Sequence, residues 1–170
     1  MIVMVTGLPG SGKSTLAGLL SVRLNLPMLS KDAVKEAVHE SLATTDRGAV
    51  SRASAEVIWR LLPGCPAGAV VDMWFDPVRD AGVAVDGLRR AGCLGKTVEV
   101  MCSCPGEVAA DRYQRRARSS VHHGPDRETL DRIRRSAPLM VPLAAGPALA
   151  VDSTQPFDVD DIVRWIDSHS

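Results

Sequence analysis

Gly7-Leu8-Pro9-Gly10-Ser11-Gly12-Lys13-Ser14 is the stretch that decides the fold of this 170-residue chain. It fits G-x-x-x-x-G-K-[ST] at every fixed position. Its surroundings fit as well. Ile2–Thr6 before it is a short β-branched run that predicts a strand. After it, Ser14–Leu24 places Leu16, Leu19, Leu20 and Leu24 on one helical face. Glycines at these points let a backbone curl with its N–H groups turned inward, and the following helix adds positive potential at its start. The motif therefore binds nucleotide phosphates. Gly7, Gly10, Ser11, Gly12 and Lys13 form the cradle, Lys13 reaches the β- and γ-phosphates, and the Ser14 hydroxyl is placed for Mg²⁺. Thr15 adjoins it as a further nucleotide contact rather than as the metal ligand.

Outward from the loop, strand-like and helix-like patterns alternate. Strands are expected at Pro27–Leu29, Ala69–Met73, Thr97–Cys102 and Ala148–Val151. Helices are expected at Lys31–Leu42, Ala49–Leu62, from Pro77 through Leu88, from Pro105 to about Ala117, at Arg127–Arg135 and at Asp158–Ser168. Ser30 or Asp32 is a candidate cap of the second helix, and Asp126 caps the charged one. Asp76 and Pro77 read as an N-cap followed by proline at the first helical position. This alternation predicts an α/β fold, a three-layer α/β/α sandwich with a five-stranded parallel sheet, in one domain spanning 1–170.

Composition excludes several classes. Twenty basic and 20 acidic residues balance to a formal charge of zero, so a protein that coats nucleic acid is not expected. The longest apolar runs are strand length, and no basic n-region precedes a long apolar segment, so neither a membrane span nor a signal peptide is expected. Cys65, Cys93, Cys102 and Cys104 match no zinc spacing and read as reduced thiols of a cytoplasmic protein. Only four of the 20 basic residues are lysines.

A guanine-nucleotide switch would carry D-x-x-G after the third strand and N-K-x-D further on. Asp72-Met73-Trp74-Phe75 lacks the glycine, and N-K-x-D is absent. The chain is short for a AAA+ motor. What remains is a small kinase. Transfer to a hydroxyl needs a group that orients the nucleophile and takes its proton. Asp32 follows the second strand, and ligands of open α/β sheets bind beyond the strands' carboxyl ends. Asp32 is therefore the candidate base, its other reading being a helix cap. Asp72 ends the third strand in an apolar run, where a carboxylate is costly unless paired or near a metal. It is the candidate second partner of Mg²⁺, through water. In the reverse assignment, Asp72 is the base and Asp32 binds substrate.

Five segments in order give the chain its resemblance to the small P-loop kinases, the AAA-type group with chloramphenicol phosphotransferase, zeta-toxin-like kinases and gluconate- and shikimate-type kinases. They are Gly7–Ser14; Leu29-Ser30-Lys31-Asp32; Val70-Val71-Asp72; Arg112-Tyr113-Gln114-Arg115-Arg116 followed by His122-His123-Gly124; and Val151-Asp152-Ser153-Thr154-Gln155-Pro156. The fourth is similar to the group's arginine-bearing lid, R-Y-x-x-R then H-P-G, although here the proline follows the glycine as Pro125. The resemblance implies a helical arginine lid at about 112–135. It also implies a base-flanking turn that includes Thr154 and Pro156. Residues 111–135 hold eight arginines against four acids. Arg112 and Arg116, spaced i, i+4, are the candidates to neutralise the transferring phosphoryl group, with Arg118 as a further one. Ser119–Gly124 is expected to be the moving part of the lid. Arg132, Arg134 and Arg135 are read as surface, and Lys31 is assigned no role.

The acceptor is expected over Asp32, with His39, Arg52, Trp59, Trp74 and Phe75 as candidate walls, Trp59 being read chiefly as core. The expected activity is transfer of the γ-phosphoryl of ATP, with GTP as the alternative, to a hydroxyl of a small molecule. The resemblance makes a sugar- or nucleoside-containing antibiotic one acceptor class. A nucleotide, sugar or coenzyme-precursor kinase of metabolism is the alternative, and a non-catalytic nucleotide-dependent regulator a more distant one.

Overall fold

The structure, a computed structural model, describes residues 1–42, 46–80, 82–116 and 124–170. Five strands, β1 (Ile2–Gly7), β2 (Met28–Ser30), β3 (Ala69–Asp72), β4 (Thr97–Ser103) and β5 (Ala148–Asp152), form one sheet in the order β2-β3-β1-β4-β5. All four pairings are parallel. The helices are α1 (Lys13–Leu24), α2 (Lys31–Leu42), α3 (Arg47–Leu61), α4 (Val83–Arg90), α5 (Gly106–Arg115), α6 (Arg127–Ser136) and α7 (Val159–His169).

Alternation along β1 sets the layers. Val3 and Val5 pack with Leu16 and Leu20 of α1 and with Ile162 and Ile166 of α7. Ile2 and Met4 point the other way, into a cluster with Ile58, Trp59 and Leu88 of α3 and α4. β1 is buried along its whole length, as a central parallel strand covered on both faces must be. A third cluster, Leu8, Ala109, Ala110, Tyr113, Leu130 and Ile133, ties the loop after β1 to α5 and α6. The lid helices are thus rooted on the phosphate loop itself.

Glu99 of β4 is one of the sheet's buried acids. It accepts from Thr6 Oγ1 and from the Leu143 amide, each at 2.6 Å, and burial nevertheless raises its pKa. Among the described residues no helix is long and apolar enough to cross a membrane.

Two expectations about helices need correction. The helix expected from Pro77 begins only at Val83. Asp76 does cap, accepting from the amides of Val78 and Arg79, but what it caps is a turn. The Asp80 carboxylate takes the Asp76 amide, and Gly82 sits at φ 79°, a conformation that interrupts a helix. The second correction concerns the lid. α5 stops at Arg115, and Arg116 is extended (φ −83°, ψ 124°), so Arg112 and Arg116 do not share a helix face. The buried face of α5 is Ala109, Ala110 and Tyr113, and Arg116 one turn on has nothing to bury.

Candidate active site

The phosphate loop joins β1 to α1. Gly7, Gly10 and Gly12 have φ of 140°, 88° and 93°, which side-chain-bearing residues rarely adopt. Gly10 has a second constraint, since a Cβ there would overlap the Ala109 carbonyl of α5. The Ser11 amide donates to the Leu8 carbonyl at 3.0 Å, closing the turn. From β4, where Cys102 is the register partner of Gly7, the Cys102 thiol donates to the Ser11 carbonyl at 3.0 Å. Burial raises its pKa and keeps it a protonated donor. Sequence reasoning assigned Cys102 only a reduced state; its place at the end of β4 was the available signal. Lys13 is buried at the start of α1, Ser14 is half-buried and Thr15 exposed.

Asp72 lies in register with Val5 of β1 and Ser30 of β2. It is 3% exposed, and its Oδ1 has no hydrogen-bond partner among the described residues. Ser30 Oγ donates to Oδ2 at 3.3 Å and accepts from the Ala33 amide at 3.4 Å, so Ser30 is the residue that caps α2. An orphaned carboxylate oxygen and the Ser14 hydroxyl are hard oxygen donors, the type that suits Mg²⁺. No group of three His, Cys, Asp or Glu able to hold a metal occurs among the described residues. A Mg²⁺ here would thus rest largely on phosphate and water oxygens.

A cavity of about 740 Å³ opens beside the loop. Lys13, Lys31, Asp32, Lys35, Arg52, Trp59, Trp74, Phe75 and Arg132 are among its lining residues. Lys13 and Asp32 therefore face one space. Trp59 stacks on Phe75, with centroids 6.4 Å apart and planes at 13°, which serves both the core and the cavity wall. Burial lowers the Lys31 pKa, against the opposing pull of Asp80 and Asp32.

Other expected site residues lie elsewhere. His39 is half-buried on α2 and does not line the cavity. Arg112 is turned to the β5–α7 turn, where its guanidinium donates to Ser153 Oγ and to the Ser153 carbonyl, each at 3.1 Å. Arg116 is exposed and also outside the lining. Thr154 donates from its amide and hydroxyl to Asp152 Oδ1, and Pro156 is exposed beside it. Arg118, His122 and His123, and most of the expected moving segment 119–124, lie outside the described residues. Arg134 is a surface residue paired with Glu107 and Asp131, as expected. Arg132 is not: it lines the cavity with its guanidinium 5.7 Å from the Trp74 ring centroid. The packing of Leu130 and Ile133 against α5 turns Arg132 toward Trp74, and helical periodicity alone does not reveal what lies there.

This loop, sheet order and set of helices define an α/β protein of the P-loop NTPase type, with the fold of the small P-loop kinases. The chain belongs to the AAA domain family designated AAA_33, whose model matches residues 2–140. Among solved structures it is similar to a kinase candidate from Chloroflexus aurantiacus J-10-fl, at 26% identity and TM-score 0.81, over 99% of this chain and 97% of that one. It is also similar to Kti12 of Chaetomium thermophilum in complex with ADP-AlF3, at 18% identity, TM-score 0.67, and 99% and 96% coverage. A third is the shikimate kinase of Acinetobacter baumannii in complex with shikimate, at 15% identity, TM-score 0.65, and 98% and 93% coverage. No curated protein matched the chain.

Proposed function

We propose that this chain is a cytoplasmic small-molecule kinase, one domain over 1–170 with a lid at about 112–135, that transfers the γ-phosphoryl of ATP to a hydroxyl. GTP is the alternative donor. The observation that carries the reading is that Lys13 and Asp32 line one cavity.

Lys13 and the loop amides hold the triphosphate, with Thr15 beside them and Thr154 and Pro156 flanking the base. Ser14 and Asp72 would hold Mg²⁺, which when bound neutralises phosphate charge. Asp32 orients the acceptor hydroxyl and takes its proton as the oxygen bonds to the γ-phosphorus. The bond from that phosphorus to the β,γ-bridging oxygen breaks, and the nucleoside diphosphate leaves. Trp74 and Phe75 wall the acceptor. Arg112 fixes the lid root to Ser153, and Arg116 supplies lid charge to the transferring group. His39 serves the acceptor wall only through α2.

The test is nucleoside diphosphate formation from ATP and GTP against sugars, sugar acids, nucleosides and antibiotics, with mass spectrometry for a phosphate adduct. Formation that depends on one hydroxyl compound is expected. None with any compound would leave a nucleotide-dependent regulator as the reading.

A further inference from the structure

The acceptor cavity carries an unusual excess of positive charge. Eight cationic side chains line it against three carboxylates. Three of the chain's four lysines are among them: Lys13, Lys31 and Lys35. Lys13 is accounted for by the phosphate loop, and two of the arginines are neutralised locally, Arg79 by Asp80 and Arg90 by Glu56. Lys31, Arg52 and Arg132 are the cations of this lining on which the acceptor side rests.

Two donors in this wall lack a hydrogen-bond partner among the described residues. Arg132 Nε and Trp74 Nε1 are both buried without a hydrogen bond. They belong to side chains that lie against each other, the guanidinium over the indole. Buried donors left unpaired are costly, and two of them side by side in a cavity wall call for acceptor atoms from whatever fills the cavity. Both groups only donate, so the complementary ligand atoms are oxygens that only accept. Lys31 stands in the same wall, drawn partly out of water. Arg52 of α3 adds an exposed cation at the rim. A neutral hydroxyl compound would leave this charge unanswered, and a polycationic aminocyclitol would be repelled by it.

We propose that the acceptor is an organic anion, bearing a phosphate or carboxylate group apart from the hydroxyl that is phosphorylated. Trp74 and Arg132 donate to that group, while Lys31 and Arg52 balance its charge. This rests on the kinase reading of the cavity and narrows its substrate class. The anionic group stays bonded to the acceptor throughout. Only the γ-phosphoryl moves, so the product carries two acidic groups where the substrate carried one.

The experiment has two arms. In the first, the protein is saturated with Mg²⁺ and β,γ-methylene ATP, which fills the phosphate loop, and is titrated with inorganic phosphate by calorimetry. Phosphate is expected to bind, and Arg132→Gln, Lys31→Gln and Arg52→Gln are each expected to weaken it roughly tenfold. Arg52 is exposed, so its variant reports on charge and not on folding. Undiminished binding in the variants, or no binding to the loaded wild type, overturns the proposal. In the second arm, ADP formation is compared for glucose, gluconate and glucose 6-phosphate. Faster turnover of gluconate assigns a carboxylate, and of glucose 6-phosphate a phosphate. Equal or faster turnover of glucose overturns the anionic class but upholds the kinase. Variant-sensitive phosphate binding, with no ADP formed from any compound in the wider screen, upholds the anion site and overturns the kinase.

Discussion

Ser30 and Asp72 are register partners on β2 and β3, and the serine hydroxyl donates to the Asp72 carboxylate at 3.3 Å. Only one carboxylate oxygen is satisfied this way; the other is buried and bare. The same Ser30 caps α2, which carries Asp32 two residues on. The two candidate carboxylates are therefore positioned through one hydroxyl, yet only Asp32 lines the cavity. Asp32→Asn is expected to leave nucleotide binding intact and to lower turnover by at least ~10², the scale of a lost general base. Asp72→Asn is expected to raise the Mg²⁺ concentration needed for half-maximal ADP formation. Steady-state kinetics over a Mg²⁺ series checks both, and the reverse pattern would exchange the two roles.

Lys13→Ala should abolish phosphoryl transfer while leaving the fold intact, because the side chain belongs to the loop and not to any of the three apolar clusters. Circular dichroism and turnover measured on the same preparation decide this. Full activity in the variant would remove the basis for the kinase reading.

Gly87→Ala tests the wall of the cavity from behind. A Cβ at Gly87 would overlap the Trp59 ring, which stacks on Phe75. Overpacking of this kind costs about 1–3 kcal/mol, which in a chain of this size lowers Tm by roughly 2–4 °C per kcal/mol. Thermal unfolding should show the loss. The KM for the acceptor should rise more than the KM for ATP, since the shifted rings line the acceptor side.

Lys31 is expected to set an alkaline limit on acceptor binding. Burial holds its pKa below the usual 10.5, so the ammonium is lost as pH rises through a value lower than that of a free lysine. Affinity for an anionic acceptor is therefore expected to fall on the alkaline side, beginning below pH 10.5. Lys31→Arg, which stays charged, should move that limb to higher pH. A KM-against-pH profile of the two proteins gives the comparison.

Glu99 makes the opposite kind of contribution, to stability. Its pKa is raised by burial, so the folded chain holds a proton that the unfolded chain has released. Stability attributable to this group should thus decline as pH rises from about 4.5 through the folded pKa. The difference in unfolding free energy between wild type and Glu99→Gln should fall across that window. A flat difference would mean that the hydrogen bonds from Thr6 and Leu143 offset burial fully.

What could be read from the sequence follows from where the physics is local. The phosphate loop was legible because its glycines answer to backbone angles, and because a strand and a helix flank it in sequence. The caps at Ser30 and Asp126 were legible for the same reason. The start of α4 was not: Asp76 caps as its sequence suggests, but the turn it opens is closed by Asp80 on the Asp76 amide and broken at Gly82, which the Asp-Pro pair does not signal. Arg112 and Arg132 were misplaced by a different cause. Their roles depend on which partner a folded surface brings near, Ser153 in one case and Trp74 in the other, at sequence separations that no periodicity reports. His39 is seven residues on from Asp32, on the same face of α2 but about two turns along it, and so beyond the cavity lining.

The crowding of three of four lysines into one cavity gives this chain a practical property. An amine-reactive label meets few targets elsewhere: Lys96 and the N-terminus. Mapping labelled peptides with and without a compound would then act as a footprint of the cavity. Lys31 is the most accessible of the three, so its protection would report an occupant that is never turned over. Occupancy of the acceptor side could be followed on the unaltered protein, with no engineered probe.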